Sequence, residues 1–329
     1  MRKLLLTLAV LVLPVSFAAG CGNTNEAASG ASELVPAGSV MYGEANLKPE
    51  GDQKQAVDSI MSKFPGGGEA GDKLKSLIEK AMRESDAPVN FEKDIDPWLG
   101  DEAAFFVGGI GGSGYAKASA VLVATTDEDK ARDALEKSAE GKITTHDYKD
   151  VEYLTDGSEE AGAVFDGFLV LGTEDGVRAA IDTSKGGKKL SDDETYKKAL
   201  DDAADDRLGF FYVNSPALLD AMREVGRGIP DSFRKFFQEP VAATIDADDD
   251  GVVAEGHVPA QLAQSFAFFG EASDVLGELP ADSWVALGQK DLGKLIGFYE
   301  EAFAAAAGGR DAIEREFKAG TGLDLQQDV

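Results

Sequence analysis

Pairs of apolar, β-branched or aromatic segments alternate with single amphipathic segments along most of this chain. Each pair predicts a β-hairpin, and each amphipathic segment predicts a helix. A parallel, doubly wound sheet would need one helix for every strand, and this sequence has too few. The pattern therefore predicts an α+β fold, with a mostly antiparallel or mixed sheet built from strand–strand–helix units and with helices on one face.

The same patterns place each element along the chain. Strands are predicted at residues 102–110, 117–124, 151–154, 162–171, 208–213, 241–245 and 252–258. Helices are predicted at residues 52–64, 72–85, 127–139, 173–181 and 217–225. Apolar residues recur in the helices at spacings of three and four, so one face of each is expected to pack inward. Ser215 and Pro216 are expected to cap the last helix.

The first twenty residues are typical of an export signal. Arg2 and Lys3 precede an apolar core at residues 4–15, and small residues follow it. A bilayer-spanning helix needs about 20 apolar residues, so a retained membrane anchor is the less favoured alternative. We therefore expect a signal peptide at residues 1–20, removed by cleavage before Cys21.

Cys21 is the only cysteine in the chain, so it has no partner for an internal disulfide. Residues 18–21 read Ala-Ala-Gly-Cys and resemble the lipobox of bacterial lipoproteins, in which the cysteine thiol is lipidated. An ordinary signal peptide with an incidental cysteine is the alternative. The resemblance implies a lipid anchor on Cys21, since multiple acyl chains hold a protein stably at a membrane.

Composition past Cys21 predicts three further segments. Residues 22–33 are small and polar, which is typical of a flexible tether. We expect the lipidated cysteine and tether to occupy residues 21–34 and an α+β module to occupy residues 35–275. Residues 276–329 are expected to be a partial second module, apparently truncated.

Net charge limits the partners of the chain. It has 60 acidic and 32 basic side chains and a formal net charge of −28. Nucleic acids and anionic lipids need cationic counter-groups, so we expect neither to bind the protein surface. Contact with the membrane is expected only through the lipid on Cys21.

An acidic hairpin tip contains Asp246, Asp248 and Asp250, followed by Gly251. This spacing matches the first six positions of a calcium loop, but His257 stands where such loops have a bidentate glutamate. Asp-Gly is also a favoured hairpin turn. We expect a solvated turn, and a weak calcium site is the alternative.

Residues 109–114 have the glycine spacing of a dinucleotide-binding loop and follow a predicted strand. Such a loop needs a helix directly after it, whose N-terminus meets the pyrophosphate. The next predicted element is a strand at residues 117–124. We therefore expect a flexible hairpin and no bound cofactor.

Catalytic machinery is not evident in the sequence. His146 and His257 are the only histidines, and zinc sites usually draw on several His or Cys ligands. Ser232 and Lys235 have Ser-x-x-Lys spacing without the accompanying motifs. A pair of carboxylates in a cleft would suffice for glycoside hydrolysis, but no pair stands out by position. We predict no catalytic residues.

Trp98 lies between Pro97 and Gly100, just before a predicted strand. The bracketing Pro and Gly favour a structural corner with a buried indole. An aromatic surface that stacks on a ligand is the alternative.

Three segments resemble a family of bacterial exported proteins catalogued as domain of unknown function 3352. They are residues 35–44 (VPAGSVMYGE), 96–102 (DPWLGDE) and 208–214 (LGFFYVN). The resemblance spans essentially the whole mature chain. It implies no established activity and brings no functional residues.

The leading hypothesis is a lipoprotein of unknown biochemical activity at the cell membrane, facing the extracytoplasmic side. We expect a non-enzymatic binding or structural module. One alternative is a solute-binding lipoprotein of a transporter, which would have two lobes about a hinge. The other is a cell-wall hydrolase with paired carboxylates.

The end of the chain resembles its beginning. Residues 35–40 (VPAGSV) recur in pattern at 279–284 (LPADSW), and a predicted helical stretch follows each segment. An internal repeat predicts a strand at residues 284–287 and a mainly helical segment at 292–317. We therefore expect the chain to stop inside a second copy of its opening module.

Overall fold

The computed structural model describes residues 30–63, 89–111, 116–139, 143–157, 160–201, 207–224, 237–248 and 251–257, with residues 79, 234, 311, 314, 315, 318 and 319. The chain divides into two compact units, one of residues 1–226 and 240–257 and the other of residues 227–239 and 258–329. All strands and helices named below belong to the first unit. Within the described ranges, no helix has the length and apolarity needed to cross a bilayer.

Several predicted segments lie outside the described residues. They are the signal peptide, Cys21, most of the helix at 72–85, the module boundary at 275/276, and the strand and almost all of the helical segment of the second module.

Ten strands form one antiparallel sheet. They are β1 (Met41–Asn46), β2 (Leu99–Val107), β3 (Ser119–Thr125), β4 (Thr144–Tyr148), β5 (Val151–Thr155), β6 (Glu160–Phe165), β7 (Phe168–Thr173), β8 (Gly209–Val213), β9 (Val241–Ala247) and β10 (Val252–His257). Their order across the sheet is β10-β9-β8-β1-β2-β3-β7-β6-β5-β4, and every pairing is antiparallel. The predicted α+β fold is confirmed, with a wholly antiparallel sheet.

Helices connect several of these strands. They are α1 (Gly51–Ser62), α2 (Glu128–Ser138), α3 (Glu174–Ser184), α4 (Glu194–Asp201) and α5 (Ser215–Glu224), with a π-helical turn at Phe91–Ile95 and 3-10 turns at Gly30–Glu33 and Leu190–Asp192. The predictions of α1, α2, α3 and α5 are confirmed. Helix α4 was not predicted, because its short polar sequence buries only Tyr196.

Both faces of the sheet are covered. Ala120 and Leu122 of β3 belong to one hydrophobic cluster, whereas the intervening Val121 and Val123 belong to another. Helix α3 packs in the first cluster through Val177, Ala180 and Ile181, and α2 packs in the second through Ala131, Ala134 and Leu135. The predicted placement of the helices on one face is therefore not confirmed. Strands that are apolar at successive positions, such as β3, need cover on both faces.

The single strand predicted at residues 162–171 is wrong, because two strands occupy this region. Asp166 and Gly167 form the turn between β6 and β7, with φ angles of 49° and 77°. Positive φ at both central residues suits the tight turns of two-residue hairpins, and Asp-Gly is a favoured sequence for them. The apolar residues on either side concealed this turn in the sequence pattern.

The N-cap predicted at Ser215 and Pro216 for the last helix is wrong, because the cap lies one residue earlier. Helix α5 begins at Ser215, and the side chain of Asn214 accepts a hydrogen bond from the backbone N–H of Ala217 at 3.1 Å. Asn214 is therefore the N-cap, a position that asparagine favours as strongly as serine.

The folded body begins before the predicted tether end at residue 34. Ala31, Leu34 and Val35 are buried in the same cluster as α3, and Ala31 N donates a hydrogen bond to Glu102 Oε1 at 3.2 Å. Three apolar side chains in this segment make it part of the core, although its first residues look like linker. The segment between Cys21 and the folded body is correspondingly shorter.

Candidate functional site

A surface pocket lies beside α3, with a cavity volume of about 380 Å³. One side is the helix itself, and another is the neck of the β2–β3 hairpin. Cavities of about 300–1,000 Å³ hold small-molecule ligands in other proteins. We call this cavity the α3 pocket; its lining residues are Gly108, Gly109, Lys117, Ala118, Tyr148, Asp175, Arg178, Ala179 and Asp182.

The start of α3 is fixed tightly against β3. Thr173 is the N-cap, and its Oγ1 accepts hydrogen bonds from Gly176 N at 3.0 Å and from Ser119 N at 3.1 Å. A Cβ atom on Gly172 or Gly176 would overlap the backbone of Ser119. Gly176 therefore lets the helix approach β3 closely, and Gly172 does the same for the end of β7, which sets the position of the pocket wall.

Tyr148 and Asp182 meet at one side of the pocket. The Tyr148 hydroxyl donates a hydrogen bond to Asp182 Oδ1 at 2.9 Å, and Lys149 Nζ lies 2.7 Å from the same oxygen. This hydrogen-bonded ion pair raises the pKa of Lys149. The Asp182 carboxylate is therefore already engaged by two groups of the protein.

The Arg178 guanidinium lies over two tyrosine rings. Its guanidinium carbon lies 5.0 Å from the centroid of the Tyr148 ring and 5.5 Å from that of Tyr153. His146 stacks on Tyr153 at 4.8 Å, which extends the aromatic surface. Cation–π contacts of this kind hold a guanidinium in a defined orientation.

Glu174 contacts the same tyrosine. The Tyr153 hydroxyl donates a hydrogen bond of 2.6 Å to Glu174 Oε1, whereas Arg178 Nη2 is 3.6 Å from that oxygen. Burial and this hydrogen bond raise the pKa of Tyr153, so its hydroxyl remains a donor at neutral pH. The guanidinium thus forms an ion pair with Glu174, at a distance beyond that of a hydrogen bond.

The glycine-rich segment predicted to form a flexible hairpin supplies the opposite wall. Lys117 N donates to Gly109 O at 2.9 Å, and Ile110 pairs with Ala116 as an isolated bridge. The strand predicted after it is confirmed as β3, so the helix that a dinucleotide-binding loop requires does not follow. Residues 112–115 lie outside the described part of the chain.

Comparison with known proteins assigns the chain to a family. The family model described as "Protein of unknown function (DUF3352)" matches residues 4–329. The chain belongs to this family. No curated protein sequence matches this DUF3352 protein significantly.

Two solved structures are similar to this DUF3352 protein at low identity. Crystal form III of TP0453 is 7% identical, with a TM-score of 0.36 over 75% of this chain and 90% of that one. Crystal form I of TP0453 is 6% identical, with a TM-score of 0.37 over 75% of this chain and 88% of that one.

The acidic hairpin of the DUF3352 protein joins β9 to β10. Asp248 Oδ1 accepts a hydrogen bond from Gly251 N at 2.8 Å, and Asp248 N donates to Gly251 O at 2.9 Å. Asp246 lies on β9, while Asp250 is outside the described residues. Among the residues that are described, no three His, Cys, Asp or Glu side chains are grouped for metal binding. The hydrogen bonds of Asp248 therefore stabilise the hairpin turn.

We expect no calcium affinity tighter than the millimolar range of weak extracellular sites, because His257 stands where a calcium loop has its bidentate glutamate. Isothermal titration calorimetry of the full chain with CaCl₂ measures this directly. Micromolar binding that disappears in Asp248→Ala would contradict the prediction.

The two histidines of the DUF3352 protein are on different edge strands. His146 lies on β4, and its Nε2 is 3.0 Å from Thr155 Oγ1, whereas His257 ends β10. These strands are at opposite edges of the ten-stranded sheet, and strand spacing alone separates them by roughly 40 Å. The two histidines therefore do not share a site.

Two glutamates on neighbouring strands have partners within the fold. Glu44 Oε1 is 2.7 Å from Arg207 Nη2, and Glu44 Oε2 accepts a hydrogen bond from the Tyr42 hydroxyl at 2.8 Å. Glu102 Oε1 accepts the backbone hydrogen bond from Ala31. These contacts hold both carboxylates within the fold.

Proposed function

We propose that this DUF3352 protein is an exported, lipid-anchored lipoprotein of the cell envelope, facing the extracytoplasmic side of the membrane. We further propose that it is a non-enzymatic binding module and that the α3 pocket is its binding site. The protein then contacts the membrane through the lipid on Cys21. We propose no nucleic acid partner and no cofactor.

The position of Cys21 relative to the folded body carries the anchoring part of this proposal. The core begins at Gly30–Glu33, where Ala31 is fully buried, and Cys21 precedes Gly30 by nine residues. Nine extended residues span about 30 Å at most. A lipid on Cys21 would thus hold the sheet domain near the lipid headgroups, with residues 22–29 as the connection between the two.

The α3 pocket supports the binding part of the proposal. Its lining combines one aromatic ring, that of Tyr148, with small residues and four charged side chains, and charged groups in a pocket fix the orientation of a ligand. A solute-binding lipoprotein with two lobes about a hinge is less well supported, because one continuous antiparallel sheet runs through the described domain.

Cys21→Ala is expected to release the protein from membranes, because the thiol that accepts the lipid is lost. The measurement is membrane fractionation of cells that express the full precursor, combined with labelling by a radioactive fatty acid. Thr24→Ala, three residues further on, is the matched control and should fractionate and label as wild type does. Retention of Cys21→Ala in the membrane fraction would overturn the anchoring proposal, and release of cell-wall fragments by the pure protein would overturn the non-enzymatic one.

A further inference from the structure

We propose that the α3 pocket binds the carboxylate of a small organic molecule, with Arg178 as its main contact and Lys117 as the second cation. This inference rests on the proposed binding role of the pocket. It adds the chemical class of the ligand, which nothing in the family or the similar structures supplies.

Arg178 is held in place for such a ligand. Its guanidinium carbon lies over the rings of Tyr148 and Tyr153, 5.0 Å and 5.5 Å from their centroids. A carboxylate binds the edge of a guanidinium through two parallel hydrogen bonds in the plane of the group. Holding the group in advance lowers the entropy cost of binding.

The carboxylates nearest to Arg178 are engaged by other groups. Glu174 accepts the Tyr153 hydroxyl and forms only a 3.6 Å ion pair with Arg178 Nη2. Asp182 is held by Tyr148 and by Lys149. Among the described residues, Arg178 therefore has no carboxylate oxygen within hydrogen-bond distance, although the chain has nearly twice as many acidic as basic side chains.

Lys117 adds a second positive charge across the pocket. Its side chain is exposed, and within the described ranges it makes no ion pair. Lys117 thus places a positive charge in the pocket lining that no ion pair among the described residues neutralises, and with Arg178 it offers an anion two cationic contacts in a chain of net charge −28. Asp175 and Asp182 also line the pocket, and their repulsion is stronger for a phosphate dianion than for a carboxylate.

The size of the pocket indicates more than a bare carboxylate. A cavity of about 380 Å³ has room for a small organic group beside the anion. Ala118 and Ala179 line the pocket and provide apolar contact for that group. We therefore expect a ligand with a carboxylate at one end and an uncharged body at the other.

Calorimetric titration of the full chain in detergent micelles tests the inference. The probes are acetate, benzoate, N-acetyl-L-alanine and N-acetyl-D-alanine, each with its uncharged amide, and inorganic phosphate. We expect at least one carboxylate to bind at least tenfold more tightly than both its amide and phosphate. Arg178→Gln should weaken that binding at least tenfold, and Arg178→Lys should weaken it less.

Lys185→Gln is the matched control, because it removes one positive charge at the C-terminus of the same helix, outside the pocket lining. It should leave the affinity unchanged. Lys117→Gln gives a second test that leaves the aromatic stack untouched and should weaken binding at least threefold.

Each contrary outcome has a separate meaning. Equal binding of an acid and its amide, or tighter binding of phosphate, overturns the carboxylate assignment and leaves a binding pocket in place. Absence of binding by all the carboxylates overturns the inference, while fractionation of Cys21→Ala still decides the anchoring proposal. Unchanged affinity in both Arg178→Gln and Lys117→Gln places the ligand outside this pocket.

Discussion

Replacing Arg207 with methionine is expected to lower the free energy of unfolding by about 3–5 kcal/mol. Arg207 Nη2 lies 2.7 Å from Glu44 Oε1, and both side chains are only 9% exposed. Removal of one partner from a buried pair leaves the other charge in a medium of low dielectric. Methionine fills much of the space of the arginine stem but supplies no positive charge.

The surroundings of Glu44 make rehydration of its carboxylate difficult. Tyr196 packs edge-on against Tyr42 at 5.7 Å and against Phe210 at 6.0 Å, and the Arg207 guanidinium lies over the Phe210 ring. Tyr196 cannot supply a positive charge in place of the arginine, and burial raises the pKa of Tyr196, which keeps its hydroxyl neutral. The loss of unfolding free energy therefore comes from the buried Glu44 carboxylate, which is left without its positive partner.

Urea denaturation of the full chain, followed by far-UV circular dichroism, measures this effect. Lys197→Met is the matched control, because it breaks the 3.5 Å pair with Glu194, whose side chain is 91% exposed. Its cost should stay below about 1 kcal/mol, as for other surface pairs. The double variant Glu44→Leu with Arg207→Met should recover most of the loss. A loss below about 1 kcal/mol in Arg207→Met would show that the pair is hydrated and the argument from burial is wrong.

Local periodicity accounts for the parts of the fold that the sequence predicted correctly. Helix α2 is an example, since Ala131, Ala134, Leu135 and Ser138 recur at helical spacing and all four are buried. Strand β3 is similar, because a run of apolar residues between turns has few other arrangements. The sheet face that each helix packs against depends on contacts between segments distant in the chain. A local sequence pattern does not predict it.

The candidate site was missed for the same reason. Tyr148 ends an edge strand, Tyr153 lies on the next strand, and Arg178 is on a helix 25 residues further along the chain. None of them stands in a motif of fixed spacing. The glycine spacing at residues 109–114 predicts a loop. Only the approach of α3 makes the base of this hairpin, at Gly108, Gly109, Lys117 and Ala118, a wall of the pocket.

Trp98 illustrates a local prediction that the tertiary structure confirms. Its indole is fully buried, as expected for a corner bracketed by Pro97 and Gly100, and Nε1 donates a hydrogen bond to Asp94 O at 2.5 Å. The ring packs in the cluster that joins the π-helical turn, β2 and α2. Trp98 O accepts a hydrogen bond from Thr126 N at 2.8 Å, which ties the corner to the end of β3.

Trp98→Ala is expected to lower the free energy of unfolding by about 3–5 kcal/mol, because it leaves a cavity among Phe91, Ile95 and Leu135. Trp98→Phe keeps most of the apolar volume but leaves the Asp94 carbonyl without the indole donor, so it should cost about 1–3 kcal/mol. Ile143→Ala, at a residue 37% exposed, is the control and should cost less than about 1 kcal/mol. Circular dichroism in urea is the suitable measurement, since the chain has only two tryptophans and the substitutions remove one. If Trp98→Ala and Ile143→Ala cost the same, burial of the Trp98 indole does not stabilise the corner and the prediction is wrong.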